Sequence, residues 1–395
     1  MPWRVTSGVA DIFCLHPKAR AFGPDGQALP LGRIEPVIAP GPAALSSVFL
    51  TAPEMSFRVG GEGFPEGGIG WFETLTGGST GTPRRILRRQ SSWTASFAIN
   101  AKLFNIAPGA SVAAMGDLIH SLALYAGVEA LHLGGYFHHL HRLSPKGILR
   151  ALAERQITHL YATPAQLRLL AGQGASASIR HLIIGGGAMD AGLAHTLRTA
   201  FPSARITGFY GAAETSFITL SDATTPEGAA GKPYPGVTLH LRDPDPQGIG
   251  EIWVESPYLA AGYAGTQGSG RWEDGRVTAG EWGRLLPSGD LVILGRGSRR
   301  IRIADQSLFP EEVETFLLSQ PGIRQAALLP QPDAARGQVP IAILQGQGQD
   351  QPLCQAIRDH FGPLAVPRRI LWWAGDWPML PSGKTDFAAL AGALE

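Results

Sequence analysis

Between residues 148 and 200, helical and strand-like stretches alternate, and no other feature of the chain restricts its fold as much. Ile148–Arg155 carries apolar residues at helical spacing, Thr158–Ala162 reads as a short apolar strand, and Pro164–Leu170 is helical again. His181–Ile184 is an unbroken apolar strand running into Gly185-Gly186-Gly187, and Leu193–Ala200 returns to helix. Such alternation specifies a layered α/β domain with a mainly parallel sheet, because parallel strands need helical crossovers. Beyond residue 230 the pattern changes to short strands punctuated by Gly and Pro, namely Val237–Leu241, Gly250–Val254 and Leu291–Leu294. We read these as a β-rich subdomain. Gly295-Arg296-Gly297-Ser298 has the composition of a linker, and the last hundred residues (EEVETFLLS, then AALLP, then AIRDHF) form a compact α+β unit. Residues 1–70, rich in Gly, Pro and Ala with short apolar runs such as Val48–Leu50, read as a short irregular N-terminal portion. No internal repeat is visible.

A length of 395 residues is enough for two or three domains. The formal charge of +1, with 16% charged residues, gives no electrostatic reason to expect nucleic acid or an anionic membrane as partner. The opening MPWRVTSGVADIF lacks the basic and apolar regions of a secretory signal, and no run approaches the roughly 18 apolar residues of a membrane span. Cys14 and Cys354 make neither a disulfide framework nor a zinc site, which suits a reducing compartment. The expectation is a cytoplasmic protein. Lysine is scarce: Lys18, Lys102, Lys146, Lys232 and Lys384 are all there are.

Leu75–Arg85 (LTGGSTGTPRR) is the segment richest in chemistry. Gly77, Gly78 and Gly81 let the backbone approach a ligand closely. Ser79, Thr80 and Thr82 add hydroxyl donors to the backbone amides, a combination that suits a polyphosphate. It is not a Walker A loop, since no Gly-Lys-Ser/Thr follows a four-residue gap. Alone, such a run also serves as an ordinary surface loop. The run His138-His139-Leu140-His141 suggests a metal site, but no Cys or carboxylate pattern accompanies it, and we expect a solvated turn there.

Taken in order along the chain, six segments resemble the adenylate-forming (AMP-binding) superfamily of acyl-CoA synthetases, aryl-acid ligases and peptide-synthetase adenylation domains. The resemblance runs from about Thr74 to Leu390. Thr76–Arg84 resembles the family's phosphate loop, and His181–Ala188 the strand and turn beside the adenine. Gly208–Thr215 (GFYGAAET) resembles the aromatic-Gly-x-x-Glu segment. Gly231–Pro235 and Gly250–Val254 match two further blocks, and Pro381–Lys384 (PSGK) the C-terminal lysine loop.

The resemblance implies a large α/β N-terminal domain over 1–296, shortened at its start, and a small mobile C-terminal domain over 297–395. It implies ATP, Mg²⁺ and a small carboxylic acid as ligands, with CoA or a phosphopantetheinyl carrier protein as acceptor. Thr76, Gly78, Ser79, Thr80, Gly81, Thr82 and Arg84 would hold the phosphates, and Gly186, Gly187 and Ala188 would flank the adenine. Tyr210 would stack on the base, with Gly211, Ala212 and Ala213 beside it. Glu214, with Thr80, would hold Mg²⁺, since hard cations take oxygen ligands. His120, in MGDLIHSLALYAG, would line the carboxylate side of the acyl pocket, and Lys384 would bridge the acid's carboxylate and the α-phosphate. For the ribose, Asp290 lies only six positions before Arg296, whereas the family's acidic residue stands about fifteen before; Glu281 fits that spacing. Asp290 is then a hairpin-turn residue, and Arg296 holds phosphate or ribose.

The chain also departs from the family. Arg84 stands where the phosphate loop closes on lysine, and Ser298 where the hinge carries Asp or Lys. Asp305 replaces the glycine that lets a pantetheine arm pass, and Ser307 the arginine after it. A carboxylate at 305 narrows a pantetheine channel and repels a phosphorylated thiol carrier, which bears on thioester formation but not on adenylation. Amino-acid-activating relatives place an Asp after the position of His120. Here it is Ser121, so the expected substrate is an aryl or fatty acid without an α-amine.

Overall fold

The computed structural model describes residues 11–75, 84–187, 189, 191–265, 268–304, 306–379 and 385–392. Its centre is an eight-stranded sheet in the order Arg20–Phe22, Tyr136–His139, Ser111–Ala114, His159–Ala162, His181–Ile184, Arg205–Ala212, Ser216–Ser221, Lys232–Pro233. The strands are parallel from Arg20–Phe22 to Arg205–Ala212, and the last two pairings are antiparallel. The sequence alternates inward phases along each parallel strand. Val112, Ala114, Tyr161 and Ile183 pack into one core with the helices Ala44–Thr51, Ser91–Leu103 and Ser121–His132. Ala113, Leu160, Ala162, Leu182 and Ile184 pack into a second core with Pro145–Glu154, Pro164–Leu170 and Ala191–Ala200. Burial on both faces is why these strands read as continuous apolar runs.

The helix boundaries have local causes. Pro164–Leu170 begins at Pro164 because Thr163 and Gln166 satisfy each other's backbone N–H in a capping box, with proline at the first helical position. Within the first core Glu129 is fully buried. It accepts hydrogen bonds from Asn100 (2.8 Å), Tyr125 (3.0 Å) and Tyr161, and Tyr234 donates to Asn100 at 2.8 Å. This network ties two helices, a central strand and the Tyr234 loop. Burial raises the Glu129 carboxyl to about 7, against the pull of those hydrogen bonds.

The β-rich part is two sheets. One has the order Arg271–Glu273, Arg276–Thr278, Gly250–Glu255, Glu281–Leu285, Leu291–Arg296, with Thr238–Arg242 also on Gly250–Glu255. The other runs Gly262–Ala264, Arg85–Arg89, Trp71–Leu75, Phe57–Val59, Val37–Ile38. The C-terminal unit has its own sheet, with Gln306–Leu308, Ile301–Ile303, Gly337–Gly346 and Ile323–Asp333 in order and Ile370–Trp372 beside Gly337–Gly346. It also has its own core around Val313, Leu328, Leu344 and Ile357. A large α/β body with β-rich sheets and a small α+β unit is the architecture expected.

Three expectations need correction. Residues 11–70 are only partly irregular: Arg20–Phe22 completes the edge of the central sheet, and Leu45 and Val48 of Ala44–Thr51 are fully buried. Gly295–Ser298 is not a linker, since Gly295 and Arg296 end the strand Leu291–Arg296 and Gly297–Arg299 is a turn of 3₁₀ helix. His138 and His139 do not sit in a solvated turn either. They are buried in the strand Tyr136–His139, with His139 Nε2 2.9 Å from the Gly116 carbonyl and His138 stacked on Phe22. His141, just beyond, pairs with Asp117 at 3.3 Å. Among the described residues no group of three or more His, Cys, Asp or Glu is placed to hold a metal ion.

Candidate active site

Open α/β sheets bind ligands beyond the carboxyl ends of their parallel strands. At that end Gly185–Gly187 follow His181–Ile184 and run beside Phe209–Gly211, because Ile184 and Gly208 are register partners. Gly185 leaves no room for a side chain, as a Cβ there would lie 2.0 Å from the Phe209 ring. Gly186 takes a left-handed φ of +81°, which glycine adopts without strain. Tyr210 is half-buried, with its hydroxyl withdrawn from solvent and hydrogen-bonded to nothing among the described residues. Its ring packs in part against the cluster of Ile218, Ile252, Val254 and Leu291.

Gly211 and Ala212 pair with Phe217 and Ser216, so Ala213-Glu214-Thr215 forms a tight hairpin loop closed by Ser216 in the left-handed region (φ +58°). A Cβ on Gly211 would meet the Ser216 carbonyl oxygen at 2.0 Å. A hairpin tip normally faces water, yet Glu214 is buried because a second segment covers it. Ala260 N–H donates to the Glu214 carbonyl (2.8 Å), and the Tyr263 hydroxyl donates to Glu214 Oε1 (2.6 Å) while accepting from Gly270 N–H (2.9 Å). Burial, and the hydrogen bond to Glu214 with it, raises the Tyr263 hydroxyl to about 12, so it stays a donor. Arg84 lies near enough to Tyr263 for its charge to oppose that rise.

Glu281 and Arg296 are register partners on adjacent strands, and their side chains meet at 3.5 Å. Burial raises the Glu281 carboxyl, and the Arg296 charge opposes this. Glu281, Arg296 and Glu214 all act on the Tyr210 hydroxyl, which burial first and Glu281 second hold well above its ordinary value. Asp290 closes the hairpin between these two strands, with Leu286 N–H donating to its carbonyl (2.8 Å) and Ser288 to its side chain (2.7 Å).

His120 precedes the helix Ser121–His132, is exposed, and bridges Leu75 in the neighbouring sheet; Ser121 Oγ donates to the Leu75 carbonyl at 3.5 Å. Leu75 and Arg85, which flank the hydroxyl-rich segment, are themselves register partners. The structure therefore brings Gly186, Gly187, Tyr210, Gly211, Ala212, Ala213, Glu214, Glu281 and Arg296 to one end of the molecule, with Arg84 within electrostatic reach of Tyr263. Thr76, Gly78, Ser79, Thr80, Gly81, Thr82, Ala188, Asp305 and Lys384 lie outside the described residues.

The donor set suits a hard divalent cation held chiefly by a polyphosphate. Mg²⁺ ordinarily takes one or two protein carboxylates and completes its shell with phosphate oxygens and water. Glu214 offers one carboxylate, aimed by Tyr263, and no carboxylate cage surrounds it among the described residues. Tyr263 and Arg88 are the residues that sequence reasoning missed. Arg88 left a signal, since it follows Ile86 by two in a strand, and inward phase puts both in the core.

Comparison with known proteins bears on the family and the fold. Residues 73–264 match the model of the AMP-binding enzyme family, and residues 312–384 that of the AMP-binding enzyme C-terminal domain. An uncharacterized acyl-CoA ligase, YhfT, of Bacillus subtilis is 30% identical over 319 residues, covering 78% of this chain and 66% of its own. The chain spans about two thirds of the length of the curated relatives it matches. Among solved structures, amide bond synthetase McbA from Marinactinospora thermotolerans superimposes with a TM-score of 0.74 at 19% identity, over 96% of this chain and 91% of that one. The o-succinylbenzoate CoA synthetase MenE of Bacillus subtilis, in complex with its acyl-adenylate, gives 0.71 at 24% identity over 80% and 67%. At these identities the two structures attest the fold alone.

Proposed function

The chain belongs to the AMP-binding enzyme family, and from that premise we propose that it activates a carboxylic acid with ATP. The product is an acyl-adenylate with release of pyrophosphate, followed by transfer of the acyl group to the thiol of CoA or of a carrier protein. The observation that carries this reading is the convergence of Tyr210, Glu214, Glu281 and Arg296, from two hairpins distant in sequence, beyond the carboxyl ends of the parallel strands.

In this reading Tyr210 stacks on the adenine, Gly186 and Gly187 leave room beside it, and the Glu281–Arg296 pair takes the ribose hydroxyls and adjacent phosphate. Glu214 and Thr80 hold Mg²⁺, which when bound neutralises phosphate charge. The hydroxyl and glycine run Thr76–Thr82, with Arg84, grips the β- and γ-phosphates. His120 orients the acid's carboxylate for attack on the α-phosphorus. Lys384 donates to the carboxylate and α-phosphate, stabilising charge as the bond to pyrophosphate breaks. The boundary between the two domains falls at Arg296, with 297–395 as the unit that delivers Lys384. The substrate is an aryl or fatty acid, because Ser121 supplies no carboxylate for an α-ammonium. A reducing cytoplasm is the compartment that suits free Cys14 and Cys354. Isotopic exchange between pyrophosphate and ATP, run with a panel of carboxylic acids, tests the reading. Exchange with at least one acid is expected, and none with any acid, in protein shown to bind ATP, would overturn it.

Asp305 supports a second outcome, in which the adenylate passes to an amine or another acceptor. Incubation with CoA, a phosphopantetheinylated carrier or simple amines, with products identified by mass, separates the two.

A further inference from the structure

Arg88 is 1% exposed, although it carries a full charge. Its buried Nε has no hydrogen-bond partner among the described residues, while its two terminal nitrogens donate to three neutral acceptors: the Ala213 carbonyl (2.8 Å), the Ser216 hydroxyl, and the Tyr258 carbonyl (2.6 Å). Two of these flank Glu214 in the hairpin loop, one on each side. The third belongs to the segment that covers Glu214, two residues before the Ala260 N–H that binds the Glu214 carbonyl. Burial lowers the guanidinium to about 9, and the Glu214 charge opposes this. The strand carrying Arg88 starts at Arg85, directly after the hydroxyl-rich segment, and pairs with Gly262–Ala264, which bears Tyr263. Arg88 thus clasps the loop holding Glu214 and the segment holding Tyr263 to the strand that leaves the phosphate-binding run.

We infer that Arg88 is a positioning residue for the metal carboxylate: it fixes the Ala213–Ser216 loop so that the Glu214 carboxylate is held in the orientation in which it would bind a cation. A planar fork held by three acceptors at fixed angles sets the loop's position and orientation, which a point charge or an apolar chain of equal volume does not. Ser216 needs that support, because a non-glycine residue in the left-handed region is strained unless its surroundings hold it there. This inference rests on the reading of Glu214 as the Mg²⁺ residue.

The test is calorimetric binding of ATP to the full chain, once with saturating Mg²⁺ and once with EDTA, the ratio of the two affinities being the quantity read. Arg88→Met is expected to cut that ratio about tenfold while leaving the affinity in EDTA within twofold of wild type. Arg88→Lys, which keeps the charge and loses the fork, is expected to fall near Arg88→Met. A wild-type ratio in folded Arg88→Met overturns the inference, as does a uniform loss of affinity with and without Mg²⁺, the mark of a purely structural role. Should Arg88→Met not fold, Ser216→Ala removes one acceptor and is expected to lower the ratio two- to threefold; an unchanged ratio there also overturns it. Glu214→Gln separates the two levels. If it leaves the ratio intact, the reading of Glu214 itself fails, whatever Arg88 does.

Discussion

Arg88, in the wall behind the candidate nucleotide residues, gives its guanidinium to two main-chain carbonyls and a hydroxyl. Arg299, where the chain enters the C-terminal unit, gives its own to carboxylates, with Glu314 taken bidentately (2.6 and 2.9 Å), Glu311 at 3.3 Å, and the Phe387 ring below at 3.8 Å. Burial works against both charges. Around Arg299 the Glu314 and Glu311 carboxylates outweigh it and the pKa rises, whereas around Arg88 burial wins and it falls to about 9. The difference teaches what each region is built for. Neutral acceptors do not themselves compensate a buried cation's charge but dictate its direction, which fits the role proposed for Arg88 in positioning Glu214. Carboxylates compensate the charge, so the Arg299 cation is stabilised where it is buried, at the joint with the C-terminal unit.

The largest expected effect lies beyond that joint. Lys384→Ala should lower pyrophosphate exchange by roughly 10²–10³-fold with the melting temperature unchanged, the usual cost of removing one donor to developing charge. Exchange at the wild-type rate would remove the C-terminal unit from the chemistry. Next, Arg299→Met leaves Glu311 and Glu314 facing each other without a cation and should destabilise the protein by about 3 kcal/mol in denaturant titration. Adding Glu314→Gln should recover part of that loss. If it recovers nothing, charge compensation is not what distinguishes the joint from the wall.

Glu129 offers a pH test of the wall's foundation. Its folded pKa, about 7, is raised above the ordinary carboxylate value by burial. A carboxyl shifted upward contributes stability that is complete below its unfolded pKa and is lost as pH climbs through the folded one. Stability should therefore fall by up to about 3 kcal/mol between pH 4.5 and 8, and Glu129→Gln should flatten that slope. An equally steep slope in the variant would assign the titration elsewhere. The smallest effect is Tyr263→Phe. Losing one hydrogen bond to Glu214 is worth about 1 kcal/mol, so KM for ATP should rise roughly fivefold with stability little changed.

The parallel sheet was legible because its strands and helices announce themselves over a few residues. His181–Ile184 and Pro164–Leu170 appear in the structure with the bounds read from the sequence, the second because its capping box is local. The N-terminal stretch was not legible for the opposite reason. Arg20–Phe22 is three residues long and is a strand only because Tyr136–His138 lies beside it, more than a hundred positions away. His138 and His139 misled for a related reason: a polar residue looks solvated until the neighbours that bury it are known.

Of the candidate site, the sequence supplied the residues and their order, and the spacing that selected Glu281 over Asp290 matches a cross-strand pairing of Glu281 with Arg296. What it left undetermined is how those residues are held. Glu214 at a hairpin tip would be a solvated carboxylate; Tyr263, 49 positions on, and Arg88, whose partners lie 125 to 170 positions away, make it a buried and aimed one. The chain's own pattern thus determined the layered fold, the family and the chemistry on offer, since periodicity and motif spacing act over short stretches. Only the tertiary structure decided which charges lose their water and what replaces it, because desolvation depends on every segment that closes around a group.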